Sequence, residues 1–334
     1  MAFLQPKTSC PRRSRTATRW RPISAGGWAI PALASFAMMA GVPEPAEAKS
    51  TNCAAKPRAC GYPDGKTAGV KRKLLKKNKL RRVPEDVRSG KGWHWDSRGW
   101  VTINGTSAKF IRFVVDGTIN VEASNVLIKN VKVTVHSDTI GIAIRHADNT
   151  KIVRSTIGPN SPSSRLETGI KDVYGDATGT TVRKSEIIHT ATGIQMGQGT
   201  IVANFIHKMA YSGDDHVNGI TSNGSTKPLS IIRNTIFNEI HQTDAIGLFQ
   251  DFGLEANRRI ENNLLAGGGY TLYAGEGPSD ASSYNIRVVG NRFSTHLFPK
   301  GGSYGPFTAF NPYGKGNVWS GNIWDHNKKK IPAH

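Results

Sequence analysis

From about Val101 onward the chain alternates short apolar runs with small polar bends. A Gly followed by an apolar residue recurs at Gly141-Ile142, Gly169-Ile170, Gly193-Ile194, Gly219-Ile220 and Gly247-Leu248, at intervals of 28, 24, 26 and 28 residues. A polar mark lies in the other half of each unit, at Asn130, Ser155, Ser185, Asn204, Asn234, Asn262, Asn291 and Asn322. It follows apolar segments such as Val126-Leu127-Ile128, Ile201-Val202 and Ile231-Ile232. No helical period runs through the region, and β-branched Val, Ile and Thr dominate it, which favours strands. Units this short cannot bury an apolar face alone and must stack on one another. The pattern therefore predicts an all-β solenoid, a right-handed parallel β-helix over residues 100–334. Gly and Asn suit its bends because they tolerate left-handed backbone. A leucine-rich repeat would need Leu-x-x-Leu-x-Leu, and a propeller would need blades of regular length; neither is present.

The segment ahead of the repeats has a different composition. Lys7, Arg12, Arg13, Arg15, Arg19 and Arg21 precede an apolar run from Gly26 to Val42, and Ala46-Glu47-Ala48 follows. That is the layout of a secretory signal peptide over residues 1–48, with Arg12-Arg13 pointing weakly to twin-arginine export. The run is short of the roughly 20 residues a membrane span needs. An uncleaved N-terminal anchor is the alternative. Cleavage would remove net +4 from a total of +20 and leave +16 on a secreted chain. So large a charge selects polyanionic partners, acidic polysaccharide first. No helix-turn-helix, zinc-finger or RNA-binding signature accompanies it, so no specific nucleic-acid partner is expected. Residues 49–99 read as a basic N-terminal segment and cap. Within them Lys71 to Arg82 carries eight bases in twelve residues, either a solvated arm or a cap helix with Leu74, Leu75 and Leu80 turned inward. Cys10 leaves with the signal, whereas Cys53 and Cys60 form an even pair and are expected as a disulfide.

Several segments carry a likeness to known proteins. They are Cys60-Gly61-Tyr62-Pro63-Asp64, Asp116-Gly117, Asn125-Val126-Leu127-Ile128-Lys129-Asn130, the run from Asn262 to Tyr273, and Asn317-Val318-Trp319-Ser320-Gly321-Asn322. With these the chain resembles the right-handed β-helix proteins of the pectin-lyase-like superfamily, in a secreted actinobacterial form. The resemblance implies the fold more strongly than the reaction, because this fold hosts lyases, hydrolases, epimerases and non-enzymatic adhesins.

Aligning each unit on its Gly and stepping back three residues gives Asp138, Leu166, Thr190, His216 and Asp244. This places His216 and Asp244 in one column, a coil apart, about 5 Å by the strand spacing. The spacing Tyr211-x-x-Asp214-x-His216 is similar to the catalytic segment of mannuronan C5-epimerases, with Asp215 where that family has Pro. The resemblance implies His216 and Tyr211 as proton carriers, and Asp214 and Asp244 as handlers of the substrate carboxylate or orienters of the His. Abstraction of the sugar C5 proton needs such a set: a base, a neutraliser for the carboxylate, and stabilisation of the developing charge. The same residues also read as turn-forming side chains. Asp214, Asp215 and Asp244 form a Ca²⁺ set in a further alternative, with Lys208 or Lys171 as base. Paired-acid hydrolysis by Asp214 and Asp215 is disfavoured, since adjacent residues on a strand face opposite ways. Lys171, Gln195 and Thr221 are expected to line a substrate groove, with Lys208 as a further contact. Trp93, Trp95 and Trp100 are read either as sugar-stacking surfaces or as a cap on the solenoid, and Tyr270, Tyr273 and Tyr304 are equally open.

The expected function is a secreted, monomeric polysaccharide lyase or C5-epimerase acting on a uronic-acid polymer. A non-catalytic β-helix binding anionic wall or matrix polysaccharide is the alternative.

Overall fold

The computed structural model describes residues 52–277 and 282–333; the signal segment and Cys10 lie outside the described residues. Three parallel sheets of ten, eleven and nine strands stack into a β-helix of about nine coils. Each coil visits them in the same order. In one full turn Leu127–Lys129 lies in a side sheet, Lys132–Val135 in a second sheet, and Ile140–Ile144 in a third that carries the Gly repeat. We call these the side, strap and glycine sheets.

Inward residues stack on their own kind from coil to coil. Ile152, Val182, Ile201 and Ile231 align in the side sheet, and Ile142, Ile170, Ile194, Ile220 and Ile246 in the glycine sheet, all essentially inaccessible. Each such burial contributes about 1.5–3 kcal/mol before ordering costs. The repeating Gly is required by close approach. A Cβ on Gly169 would strike Ile187 and the carbonyl of Gly193 in the next coil, and one on Gly193 would strike Ile206 and Gly219.

The polar mark occupies the corner between the side and strap sheets. Ser155, Ser185, Asn204, Asn234, Asn263, Asn291 and Asn322 form a buried column there. Asn234 is typical. Its Nδ2 donates to Asn263 Oδ1 and to the Ile201 carbonyl, both at 3.0 Å, and its Oδ1 accepts from Asn204 N and Nδ2 at 2.9 and 3.0 Å. Two expected members stand one position earlier. Asn130 and Asn262 are corner residues with left-handed backbone, at φ of 53° and 55°, and Asn263 takes the ladder place beside Asn262.

The Gly alignment also needs a correction at its last step. Asn218 pairs with Asp244 and Ile220 with Ile246, so Ala245, not Gly247, continues the column of Gly219. A slip of two residues preserves which face each side chain takes, so the period-2 pattern alone cannot detect it.

Both ends are closed by aromatics. An antiparallel hairpin of Ser89–Gly90, Trp93–Trp95 and Val101–Ile103 covers the first coil. Trp93 is buried there edge-on to Phe110 and Phe113, which resolves its role as a cap. At the other end Trp319 packs on Phe307 and Phe310 and donates its Nε1–H to the Ile331 carbonyl at 2.7 Å.

The N-terminal segment forms a strap along the outer face of the strap sheet. Ala54 N donates to Asp325 Oδ2 in the last coil, Thr235 Oγ1 to the Pro63 carbonyl, and Gly69 N to the Lys184 carbonyl. The strap ends at the first coil, where Arg81–Val83 pairs with Phe113–Val115. The Cys53–Cys60 disulfide is formed, in the half of the strap that covers Phe237, Leu264 and Ala266. In the basic run only Arg72–Lys76 is helical; Leu74 is buried, while Leu75 is exposed and Leu80 half-buried. Among the described residues no helix is long and apolar enough to cross a membrane.

Candidate functional site: a groove over the glycine sheet

Outward side chains of the glycine sheet form two columns. One runs Thr168, Thr192, Asn218, Asp244 and Tyr270, the other Lys171, Gln195, Thr221, Gly247 and Tyr273. Over their central coils lies a cavity of about 640 Å³. Thr192, Gln195, Asn218, Thr221, Asn223, Gln242 and Thr243 supply hydroxyls and amides to it, Phe249 and Tyr273 an aromatic wall, and His216 and Asp251 its titratable groups.

Three of the expected residues therefore line the groove: His216, Gln195 and Thr221. His216 is exposed on the loop just before the strand Asn218–Ser222. Asn218, only 6% accessible, holds that loop by donating Nδ2 to the His216 carbonyl at 2.8 Å, while its Oδ1 has no partner. Thr221 Oγ1 donates to Asn223 Oδ1 at 2.9 Å. Lys171 pairs in register with Gln195, one coil beyond the lining residues.

Asp244 lies next to this set but beneath the surface. It is 0% accessible, and neither carboxyl oxygen has a hydrogen-bond partner among the described residues. Its carboxyl and the Phe249 ring share the space that a side chain at Gly247 would fill, which explains the Gly there. Burial pushes the Asp244 pKa well above the usual carboxylate range. Burial also raises the Tyr273 phenol, followed by the charge of Asp244. Tyr273 stands 5.2 Å from Phe249 and 5.7 Å from Tyr270, which is itself 5.7 Å from Tyr304. The three tyrosines thus form one aromatic cluster that Tyr273 joins to the groove.

The other expected residues are not drawn together. Tyr211 and Asp214 are exposed on the loop and do not line the groove. Asp215 is held by Arg165 at 2.6 Å and accepts from Ser212 N; the same Arg165 holds Asp138 at 2.5 Å. Lys208 is an exposed corner residue whose N donates to Glu239 Oε1. His216 and Asp244 do not share a column, because Asp244 is in register with Asn218. Among the described residues no three His, Cys, Asp or Glu side chains converge to hold a metal ion, so Asp214, Asp215 and Asp244 do not form the Ca²⁺ set considered for them.

Thr192, Asn218, Asn223, Gln242, Thr243, Phe249 and Asp251 went unnoticed in the sequence. Thr192 and Asn218 were within reach, since each directly precedes a repeat Gly. The others sit on bends whose geometry has no sequence period.

Compared with known proteins, the chain matches no family model, no curated protein and no solved structure.

Proposed function

We propose that the groove binds a uronic-acid polymer and that the protein is a secreted polysaccharide lyase or C5-epimerase working by C5 proton abstraction. The observation that carries this reading is the exposed His216 side chain lining the groove beside the buried Asp244, with Asn218 bonded to the His216 main-chain carbonyl and in register with Asp244. The C5 proton lies beside a carboxylate, and its removal leaves charge on that carboxylate. Hydrogen-bond donors in the groove stabilise this charge, and a low-dielectric site strengthens the effect. In the proposed reaction the C5–H bond breaks, the proton passes to His216, and the electron pair is delocalised onto the carboxylate. The Asn218 amide, which lines the groove with Asp244 buried beside it, stabilises it. The electron pair then forms the C4=C5 double bond as the C4–O bond breaks, the leaving oxygen takes the proton from His216, and an unsaturated end results. Return of a proton to the opposite face gives the epimer, and Tyr273 is the phenol that lines the groove for that step.

The likeness to the pectin-lyase-like superfamily and to the mannuronan C5-epimerase segment supports His216 as proton carrier. It supports Tyr211 and Asp214 less, since both stand off the groove. Groove amides and hydroxyls suit sugar hydroxyls, and the aromatic wall suits a sugar face. A second reading, a non-catalytic binder of acidic polysaccharide, is favoured by the presence of a single imidazole in the groove lining, which among the described residues is bonded to no carboxylate. The variant His216→Ala separates the two. Catalysis predicts loss of turnover by a factor of about 100 or more, the usual worth of a general base, with binding of the polymer retained. Turnover that survives the substitution, or that is absent from the parent protein, removes the catalytic reading.

A further inference from the structure

A second concavity, about 760 Å³, lies away from the glycine sheet, between the strap and the corner of the side and strap sheets. Arg154, Lys184 and Arg233 line it from the solenoid, with Arg183 beside them, and Arg58 and Lys66 line it from the strap. Nothing in its lining is acidic. Arg58 reaches Asp64 only at 3.9 Å, and Arg154 donates to the Thr67 carbonyl at 3.3 Å. Among the described residues no ion pair engages Lys66, Arg183, Lys184 or Arg233.

The backbone makes this concentration of charge costly. Arg154, Lys184 and Arg233 occupy left-handed corner positions, at φ of 50°, 51° and 55°. The same column holds Asn130, Asn262, Gly290 and Gly321 elsewhere, the residue types that adopt this conformation with least strain. Long cations replace them at Arg154, Lys184 and Arg233 in the cleft, and at Arg112 (φ 65°) in the first coil. The positive field continues toward the first coil. Burial first, then the like charges of Arg154, Lys73, Lys129 and Arg112, push the Lys71 ammonium down.

The geometry is linear and periodic. Val153, Arg183, Val202 and Ile232 are in register, so Arg154, Lys184 and Arg233 follow one another along the axis on the first, second and fourth of four stacked coils. Coils repeat about every 4.8 Å. A polymer with an anionic group at each successive residue would meet these cations in step, and guanidinium forks suit carboxylate and sulfate oxygens. Single-stranded nucleic acid wants aromatic platforms for its bases. The one aromatic in the lining, Tyr62, is half-buried against the Phe237 and Leu264 cluster.

We propose that this cleft is a docking site for a linear anionic polysaccharide, carboxylated or sulfated, lying along the solenoid axis and separate from the groove over the glycine sheet. The proposal does not rest on the chemistry assigned to that groove. Its test uses residues 49–334 and the triple variant Arg154→Asn, Lys184→Asn, Arg233→Asn, in which Asn keeps the left-handed corners. Binding is titrated over a range of salt with a galacturonate oligomer, a heparin oligosaccharide and an oligodeoxythymidine of matched charge. The parent protein should favour one of the glycans, which identifies the anion as carboxylate or sulfate. The variant should bind that glycan at least tenfold more weakly, with the slope of log K against log salt reduced by about 2, as expected when three cations no longer release counterions. Unmoved melting shows that the fold is intact. An unchanged affinity and slope for both glycans, or a parent protein that favours the oligodeoxythymidine, would overturn the proposal.

Discussion

An ionised carboxyl without a hydrogen-bond partner in a fully buried place is costly, and Asp244, which has no such partner among the described residues, is in that position, so burial raises its pKa. Its folded pKa is raised above the unfolded value. Its contribution to stability is therefore fully present below about pH 4 and is lost as pH rises toward the folded pKa, because only the unfolded chain releases the proton. Asp244→Asn keeps the shape and removes the titration. Thermal melting from pH 4 to pH 8 should show the variant gaining on the parent protein as pH rises, with the two closest at the acid end. A difference independent of pH would mean that the carboxyl is not held neutral. Asp172, raised to about 6 mainly by burial, adds a dependence of the same sign to both proteins and cancels in the comparison. Asp244 was legible in the sequence as a chemical candidate, but its surroundings were not. The sequence alignment paired it with His216, whereas the strand register pairs it with Asn218. Tyr211 and Asp214 show the converse. Their spacing looked catalytic, yet a loop has no period from which to judge which way its side chains turn.

At the scale of the coil, the asparagine ladder converts sequence repetition into a fixed stacking order. Each Asn joins its own corner to the coils on both sides, so the array behaves as a chain of nearest-neighbour contacts. Asn234→Ala removes the acceptor for Asn204 N and Nδ2 and the donor to Ile201 and Asn263, all buried. At about 1–3 kcal/mol for each buried group left without a partner, a loss of about 3 kcal/mol or more is expected in urea unfolding. Asn234→Ser should cost less, since Ser155 and Ser185 fill the same column. Equal and small losses for both variants would show that the ladder carries little stability. The repeat of polar marks was readable because a solenoid stacks like on like. The place of Asn262 was misread by one residue, because a left-handed corner and the ladder position after it both favour Asn, and a pair of Asn offers no sequence signal to choose between them.

At the scale of the molecule, the solenoid presents two different outer surfaces. The glycine sheet offers a groove of amides, hydroxyls and aromatics with few charges, and the cleft on the strap side gathers cations of which, among the described residues, Arg58 alone has an ion pair. The high net charge was plain from composition, but its gathering into one cleft depends on the strap running from the last coil to the first, which no local pattern encodes. The solenoid itself was legible because its core is periodic. The strap was not, because it is held by scattered single contacts such as Ala54 to Asp325 and Gly69 to Lys184.

The most direct test of the proposed chemistry is exchange at sugar C5. Residues 49–334 would be incubated in heavy water with alginate, polygalacturonate, glucuronan and heparosan, with and without calcium, and the polymers read by NMR. The account predicts deuterium at C5 or new unsaturated ends on at least one polymer, lost in His216→Ala, with the product separating epimerase from lyase. A folded protein that binds one of these polymers and leaves every C5 proton in place would contradict it, and would make the glycine-sheet groove a binding surface alone.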